Sequence, residues 1–558
     1  MIIYKIFRKI FKLEFFFVAF LAMLILLPLF RRGYIFAYDE LFIYPKIIFK
    51  LHNLIPNHTY LLFLLDKVSY LIPTWVIQKI IWFLSLFIGG IGAYKMIDSS
   101  KEWVRYAAGI FYVFNPFVYE RMVMGQVMII MGYSLLPFIL MYLERIRRFK
   151  KIKDVFFLSL ISGLAVLFSV HYIFIISFMV AVYFLFSAIT HKEYVKFSGY
   201  FLLFMLVIAI INLNWILPEL LAKKGIGTLA SDFNSNDLIF YRTSSGNLGS
   251  VFLNVLSMNG FWAERVNYFK NILDSKVSVV AFLMIIAFVI NGILNAFSSK
   301  NIIKNEKLKL AFFLVLGIAG TILSIGYASD STYSITKILD KYLPFYKGMR
   351  EPQKWVSVIT ISYVFFFCRS IEMIYNGIKT RRMKYAFVLF SAIIPIIYAH
   401  QMLWGFNNQL KVADYPKGWY EINAYLNNDK SDSKAVFFPW SFYPYFSFAG
   451  RNIIIPALSF FDKFTYIGDD TRVNNTYQQK YYRENELIEN NFIKDIERGK
   501  ADEEKMQSVF SELGIKYIIL AKEKSTEKIL RNLDNLHVLD ILKDGAAIKL
   551  YKIKEYGF

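Results

Sequence analysis

One cysteine, Cys368, stands among 558 residues. No disulfide framework and no cysteine metal site can form within a single such chain. The chain also lacks a Walker loop and the patterns GxGxxG, HExxH and GxSxG. These patterns carry the phosphate cradle, the zinc ligands and the strained nucleophile of many enzymes. Their absence disfavours an ATP-driven pump or a familiar hydrolase. There is no strong repeat, low-complexity tract or linker. What the chain holds in excess is apolar side chains: 56% of residues are hydrophobic, 18% are aromatic and mean hydropathy is +0.43.

A soluble domain carries about 45–50% apolar residues, usually spaced as periodic stripes. Here they form long unbroken runs. A membrane span needs about 20 apolar residues, because the hydrocarbon core is ~30 Å thick and a helix rises ~1.5 Å per residue. Residues 13–30, 75–97, 104–119, 127–143, 197–216, 277–297, 310–327, 355–367 and 385–404 each read as a span or most of one. The run 155–189 is too long for one span and breaks at His171-Tyr172, which gives two. The expected total is about eleven.

Basic residues set the orientation, counted over short loops. Lys5, Arg8, Lys9 and Lys12 precede the first run. Arg145, Arg147, Arg148, Lys150, Lys151 and Lys153 form the densest group. Lys300, Lys304, Lys307 and Lys309 form another, and Lys379, Arg381, Arg382 and Lys384 a fourth. Eleven spans with a cytoplasmic N-terminus place all four groups on the cytoplasmic side. The first run then reads as an anchor rather than a cleaved signal, because Arg31-Arg32 follows it without a small-residue cleavage site. Formal net charge is +22, yet residues 405–558 hold 22 basic and 22 acidic residues. The excess therefore belongs to the membrane part, where it serves topology and attraction to anionic lipid. No nucleic-acid partner is implied.

The expected organisation is a polytopic α-helical membrane region over 1–404 and a non-cytoplasmic α/β soluble domain over 405–558. Two outer loops, 31–73 and 218–276, interrupt the membrane region. Within the first, 41–51 and 60–71 are amphipathic and suit helices lying in the interface plane. In the C-terminal portion, helix patterns over 415–426, 485–510 and 525–533 alternate with strand patterns over 435–439, 513–520 and 546–553, which points to a small α/β domain.

Candidate chemistry gathers at helix ends on the outer side. Asp39 and Glu40 follow the first span, where adjacent acids can act as general base and metal ligand. Glu120 and Arg121 emerge after Asn115-Pro116, with Gln126 close behind, and His171 sits at a hairpin tip. Arg350 and Lys354 lie in Arg350-Glu351-Pro352-Gln353-Lys354-Trp355, where cations beside an apolar wall suit a lipid-linked phosphate. Each feature also has a plain structural reading: a solvated loop, a helix-ending ion pair with snorkelling, a polar tip, or an interfacial anchor.

Together these residues resemble GT-C fold glycosyltransferases that use polyprenyl-phosphate donors. Within that group the chain is similar to the YfhO-like membrane proteins and to the N-terminal region of mycobacterial arabinofuranosyltransferases. The likeness rests on the first-loop acidic pair, the stretch 115–137, Asn214-Trp215-Ile216-Leu217-Pro218, the motif from Arg350 to Trp355, and Leu513-Gly514-Ile515-Lys516-Tyr517-Ile518-Ile519-Leu520. It implies sugar transfer at the outer membrane face to a glycan, lipid or protein acceptor. By the same resemblance Asp39 matches the first-loop catalytic acid and Glu120 the second acidic position. Some members use a divalent cation, Mg or Mn, which Asp39 and Glu120 would then hold, and others need none. Two other readings compete: a lipid-glycan transporter or flippase, and a non-catalytic glycan-assembly factor. Transport sites usually place polar groups near the midplane, whereas the acids here cluster at outer ends.

Overall fold

The computed structural model describes residues 13–44, 59–221, 235–298, 304–343, 345–468 and 483–554. The basic residues before Leu13, Lys300 and most of the expected interfacial segment 41–51 lie outside the described residues. The chain divides into two compact units. The first comprises Met1–Pro28, His52–Leu61 and Ile80–Gln409; the second comprises Leu29–Leu51, Leu62–Lys79 and Leu410–Phe558. The first outer loop thus groups largely with the C-terminal portion rather than with the helical body.

The first unit is helical: α1 (Leu13–Leu26), α2 (Thr74–Met96, in this unit from Ile80 on), α3 (Glu102–Val113), α4 (Pro116–Val123), α5 (Val127–Phe149), α6 (Ile152–Phe168), α7 (Tyr172–His191), α8 (Tyr194–Ile211), α9 (Lys276–Ser298), α10 (Lys304–Ile325), α11 (Val356–Gly377) and α12 (Arg381–Tyr398). Among the described residues, seven helices are long and apolar enough to cross a membrane: α2, α5, α7, α8, α9, α10 and α11 with its preceding turn. An eighth crossing is available if α12 is joined to His400–Asn407 across a 65° bend. On α8, Leu202, Leu206 and Ile210 are each more than half exposed and recur every four residues. That apolar outward stripe suits contact with lipid rather than water. The chain is a multi-pass membrane protein.

The expected eleven spans and these helices differ for a local reason. Residues 104–119 break into α3 and α4, of 12 and 8 residues. Pro116 has no N–H to continue α3, and its ring excludes the preceding helical turn. Asn115 serves both sides of the break. Its amide donates to the Phe111 and Tyr112 carbonyls at 3.1 and 2.8 Å, and its Oδ1 accepts from Val118 N at 3.0 Å. Twelve residues of α3 cover only ~18 Å. The runs at 13–30 and 155–170 fall on α1 and α6, of 14 and 17 residues.

Packing around α11 is close. A Cβ on Gly292 of α9 would sit 2.2 Å from the Phe366 carbonyl oxygen, so only glycine lets the two backbones approach this far. Tight small-residue contact of this kind drives helix association in lipid, where the hydrophobic effect between helices is weak.

The second unit is built on a five-stranded sheet: β1 (Lys434–Phe438), β2 (Thr465–Tyr466), β3 (Ile515–Ala521), β4 (Leu539–Asp544) and β5 (Ile548–Ile553). The order is β2-β1-β3-β5-β4; β1 is parallel to β2 and β3, and β5 is antiparallel to β3 and β4. Helices α13 (Lys417–Asn428), α14 (Glu503–Leu513) and α15 (Glu527–Asp534) accompany it. The core includes Val436, Phe438, Phe492, Phe510, Ile518, Leu520 and Tyr551, all buried. The charged stretch expected as one helix over 485–510 is broken at Gly499, which adopts a left-handed φ of 74°. Asp502 then starts α14 by accepting from Lys505 N at 3.1 Å, and no single helix survives a glycine terminator followed by a new cap. Strand β4, whose residues are mostly exposed, had no clean alternation to reveal it. Tyr34–Ile35 of the first loop pairs antiparallel with Val412–Ala413.

Candidate functional site

The two groups of residues singled out in the sequence fall in different compact units. Glu120, Arg121, Gln126, His171, Arg350 and Lys354 belong to the first; Asp39 and Glu40 belong to the second.

In the first unit, α4 and the short turn Pro352–Trp355 before α11 bring four of them together. Arg121 is only 1% exposed. Its Nη1 donates to Glu351 Oε2 at 2.9 Å and also to Gln126. Gly125, at φ 81°, turns the chain after α4 and brings Gln126 back toward Arg121. Lys354 Nζ reaches the same Glu351 oxygen at 2.9 Å. The other oxygen, Oε1, accepts from Trp262 Nε1 at 3.1 Å. Glu351 is thereby the hub. Burial pushes its carboxyl up, but Lys354 and Arg121 together pull it further down, so it stays ionised well below the usual carboxylate range.

Lys354 Nζ also stands 3.2 Å from His171 Nε2, which lies 3.2 Å from the Gly348 carbonyl oxygen; Ser169 Oγ is 3.0 Å from His171 Nδ1. Burial, followed by the Lys354 charge, holds His171 well below its ordinary value. With its proton on Nδ1 the neutral ring accepts from Lys354, and with its proton on Nε2 it donates to the Gly348 carbonyl. The Arg350 guanidinium lies over the Tyr241 ring at 4.3 Å, and its charge also helps to lower Glu351.

Glu120 takes a different position. It is buried and shares a hydrogen bond with Glu264, while its Oε1 has no hydrogen-bond partner among the described residues. Burial first, and then Glu264, pushes its carboxyl well above the usual range. A carboxyl pressed against another in a dry site favours its protonated form, here that of Glu120. Glu264 is itself held by Asn254 Nδ2 at 2.8 Å and Gly260 N at 3.0 Å.

Arg121 is incompletely used. Its Nε and Nη2 are buried with no hydrogen-bond partner among the described residues, although its guanidinium lies 3.9 Å over the Phe261 ring. A buried donor left unmade costs about 1–3 kcal/mol, more when charged. Arg121, Arg350 and Lys354 also outnumber Glu351 and Glu264. The site therefore has spare donors and spare positive charge, which is what an anion such as a phosphate oxygen needs.

In the second unit, Asp39 is half-buried and its Oδ1 accepts from Tyr443 Oη at 2.8 Å. Tyr38 stacks on Tyr443 at 4.2 Å, and Ile454 N donates to the Tyr38 carbonyl at 2.8 Å. Glu40 is fully buried and its Oε1 accepts from Phe42 N at 3.0 Å. Its local bond back to the chain is that of a turn-forming side chain. Asp39 keeps the more accessible carboxyl of the pair. Among the described residues no three His, Cys, Asp or Glu side chains group to hold a metal ion, so a divalent cation has no ready three-ligand site there.

Glu351, Glu264, Trp262 and Tyr241 were not singled out by the sequence. Glu351 lies inside the quoted motif, and a lone acid between two cations was a usable signal. Trp262 and Glu264 lie in the second outer loop about 90 residues from Glu351, and only the fold joins them.

These features sit on a fold similar to that of a solved GT-C structure. Among solved structures the chain is similar to arabinofuranosyltransferase AftD from Mycobacteria, with TM-score 0.66 and 12% identity over 97% of this chain and 40% of that one. A mutant form of AftD gives TM-score 0.63. The archaeal oligosaccharyltransferase AglB from Archaeoglobus fulgidus, in complex with an inhibitory peptide and a dolichol-phosphate, gives 0.44 at 11% identity. The chain spans about two fifths of the length of AftD. No family model and no curated protein matches the sequence.

Proposed function

We propose that the chain is a GT-C membrane glycosyltransferase that moves a sugar from a polyprenyl-phosphate donor to a glycan, lipid or protein acceptor at the non-cytoplasmic face. The observation that carries this reading is Arg121, a buried guanidinium with two unused nitrogens inside a net-positive group at the ends of α4 and α11. The fold shared with a glycosyltransferase supports it.

In the first unit, Arg121 and Lys354 hold the donor phosphate, with Arg350 at its edge, while Glu351 and Gln126 keep Arg121 in place. With its proton on Nδ1, His171 accepts from Lys354 and fixes its direction. Glu120, kept protonated, offers its Oε1 as an acceptor to a sugar hydroxyl without adding negative charge beside the phosphate. By its resemblance to the first-loop acid of GT-C enzymes, Asp39 is proposed as the general base for the acceptor hydroxyl. The hydroxyl oxygen forms a bond to the anomeric carbon, the carbon–oxygen bond to the lipid phosphate breaks, and the phosphate keeps the electron pair. The hydroxyl proton passes to Asp39. Charge building on the phosphate meets donors already in position, which is the larger share of such catalysis. Direct attack inverts the anomeric centre.

Turnover of a polyprenyl-phosphate sugar by Asp39→Asn tests the base. Loss of turnover by a factor of roughly 10² or more in a folded protein supports the assignment; unchanged turnover removes it.

A further inference from the structure

A second polar site lies at the other end of the same helix bundle. Arg369 of α11 is 15 residues beyond Lys354, ~22 Å along the helix at 1.5 Å per residue. Around it a cavity of about 860 Å³ opens between the C-terminal ends of α2, α5 and α11 and the start of α10. Seven basic and four acidic side chains line it, an excess of three positive charges.

The acids are already committed. Glu144 takes Arg147 and Arg148 and accepts from Tyr183 Oη at 2.5 Å. Glu306 pairs with Arg369 Nη1 at 2.6 Å, Glu372 accepts from Ser99 Oγ at 2.8 Å, and Asp98 meets Arg148 Nη2 at 3.3 Å. Two cations meet no carboxylate in an ion pair among the described residues. Arg105 donates to the Tyr94 carbonyl at 3.2 Å and stacks on its ring, and Lys95 lies over the Phe15 ring at 5.2 Å. Arg369 Nε is buried and has no hydrogen-bond partner among the described residues. The same lining includes apolar side chains, with Phe313 stacked on Phe365 at 3.9 Å. Cationic side chains beside aromatic rings, at helix ends of a membrane bundle, suit an amphiphile with an anionic head. Basic pockets between spans are a known way to hold lipid phosphates.

We infer that this cavity binds a phosphate-bearing headgroup, held by Arg105, Lys95 and the free nitrogen of Arg369, with its hydrocarbon part against Phe313 and Phe365. The site is distinct from the Arg121 group and does not depend on the proposed transfer reaction. The full chain, placed in nanodiscs of equal phosphatidylglycerol and phosphatidylcholine, is released and its retained lipids are counted by native mass spectrometry. Retention of the anionic lipid should exceed that of the zwitterionic one by about 5-fold per engaged cation. Arg105→Gln with Arg369→Gln should bring the ratio back toward one, and Lys95→Gln should lower it by itself if the double variant does not fold. Displacement by millimolar glycerol 1-phosphate would assign the site to a soluble phosphate ester; retention against it would assign the site to lipid, and both outcomes support a phosphate site. Equal retention of the two lipids by the unaltered protein, or an unchanged ratio in a folded variant, overturns it.

Discussion

Two charged groups in this molecule solve opposite problems. In the second unit, Asp429 is surrounded by partners: Tyr517 Oη donates at 2.6 Å, Ser431 N at 3.0 Å and Lys516 Nζ at 3.3 Å, with Lys463 Nζ at 3.8 Å. Those bonds hold its carboxyl far below the usual range, the Tyr517 hydrogen bond first. This network is complete, and it ties the end of α13 to β3. In the first unit, Arg121 is more deeply buried and less completely bonded. A satisfied network fixes structure, whereas a buried cation with spare donors holds free energy that only a ligand can recover. The difference marks one group as scaffold and the other as a place where something binds.

The largest expected effect comes from removing the hub. Glu351→Gln leaves Arg121 and Lys354 buried without their anion, and breaking such a pair costs about 3–5 kcal/mol. Thermal unfolding of the full chain should shift down strongly, far more than for any change at Asp429. A shift no larger than that of Asp429→Asn would end the comparison.

Next in size is Arg121→Lys. Lysine keeps the charge that Glu351 needs but lacks the planar fork and its extra donors. Turnover should fall by roughly 10²-fold, about 2.7 kcal/mol, while stability changes little. Wild-type turnover would mean that the spare nitrogens are not used.

Asp429→Asn should do the reverse. Loss of charge-assisted bonds there costs about 1–3 kcal/mol of stability, without altering donor affinity. An equal loss of donor affinity would erase the distinction between scaffold and site.

The smallest effect is a pH response at His171. Its folded-state value lies below the ordinary 6.5. The unfolded chain therefore takes up a proton that the folded one refuses. The contribution is fully present above pH 6.5 and is lost as pH falls from there toward the folded value. Stability of the unaltered protein should decline as pH drops below about 6.5, and His171→Asn should flatten that part of the curve. An identical decline in the variant would remove His171 as its source.

Much of this was legible in the chain itself. Long apolar runs announced the membrane body, because hydrocarbon thickness imposes a length that soluble helices rarely reach in unbroken apolar form. Short strand patterns at 435–439, 513–520 and 546–553 marked β1, β3 and β5. Asn115-Pro116 was read as a helix end, yet its consequence, two short helices in place of a span, required the cap that Asn115 supplies to both sides. Residue types also marked Arg121, Lys354 and His171. What the sequence did not reveal was their grouping: Trp262, Glu264 and Tyr241 meet the motif around Glu351 through tertiary packing, which leaves no fixed spacing to read. Nor did it separate Asp39 from Glu40. Adjacent acids look alike in a string, while in the fold one is buried on its own turn and the other bonds Tyr443.

The most direct test is calorimetric titration of a polyprenyl phosphate into the detergent-solubilised full chain and its Arg121→Lys variant, with thermal unfolding recorded for both. A tenfold or greater weakening, ~1.4 kcal/mol, at unchanged unfolding temperature is the predicted result. Equal affinity in two equally folded proteins would contradict the assignment of Arg121 to the donor phosphate.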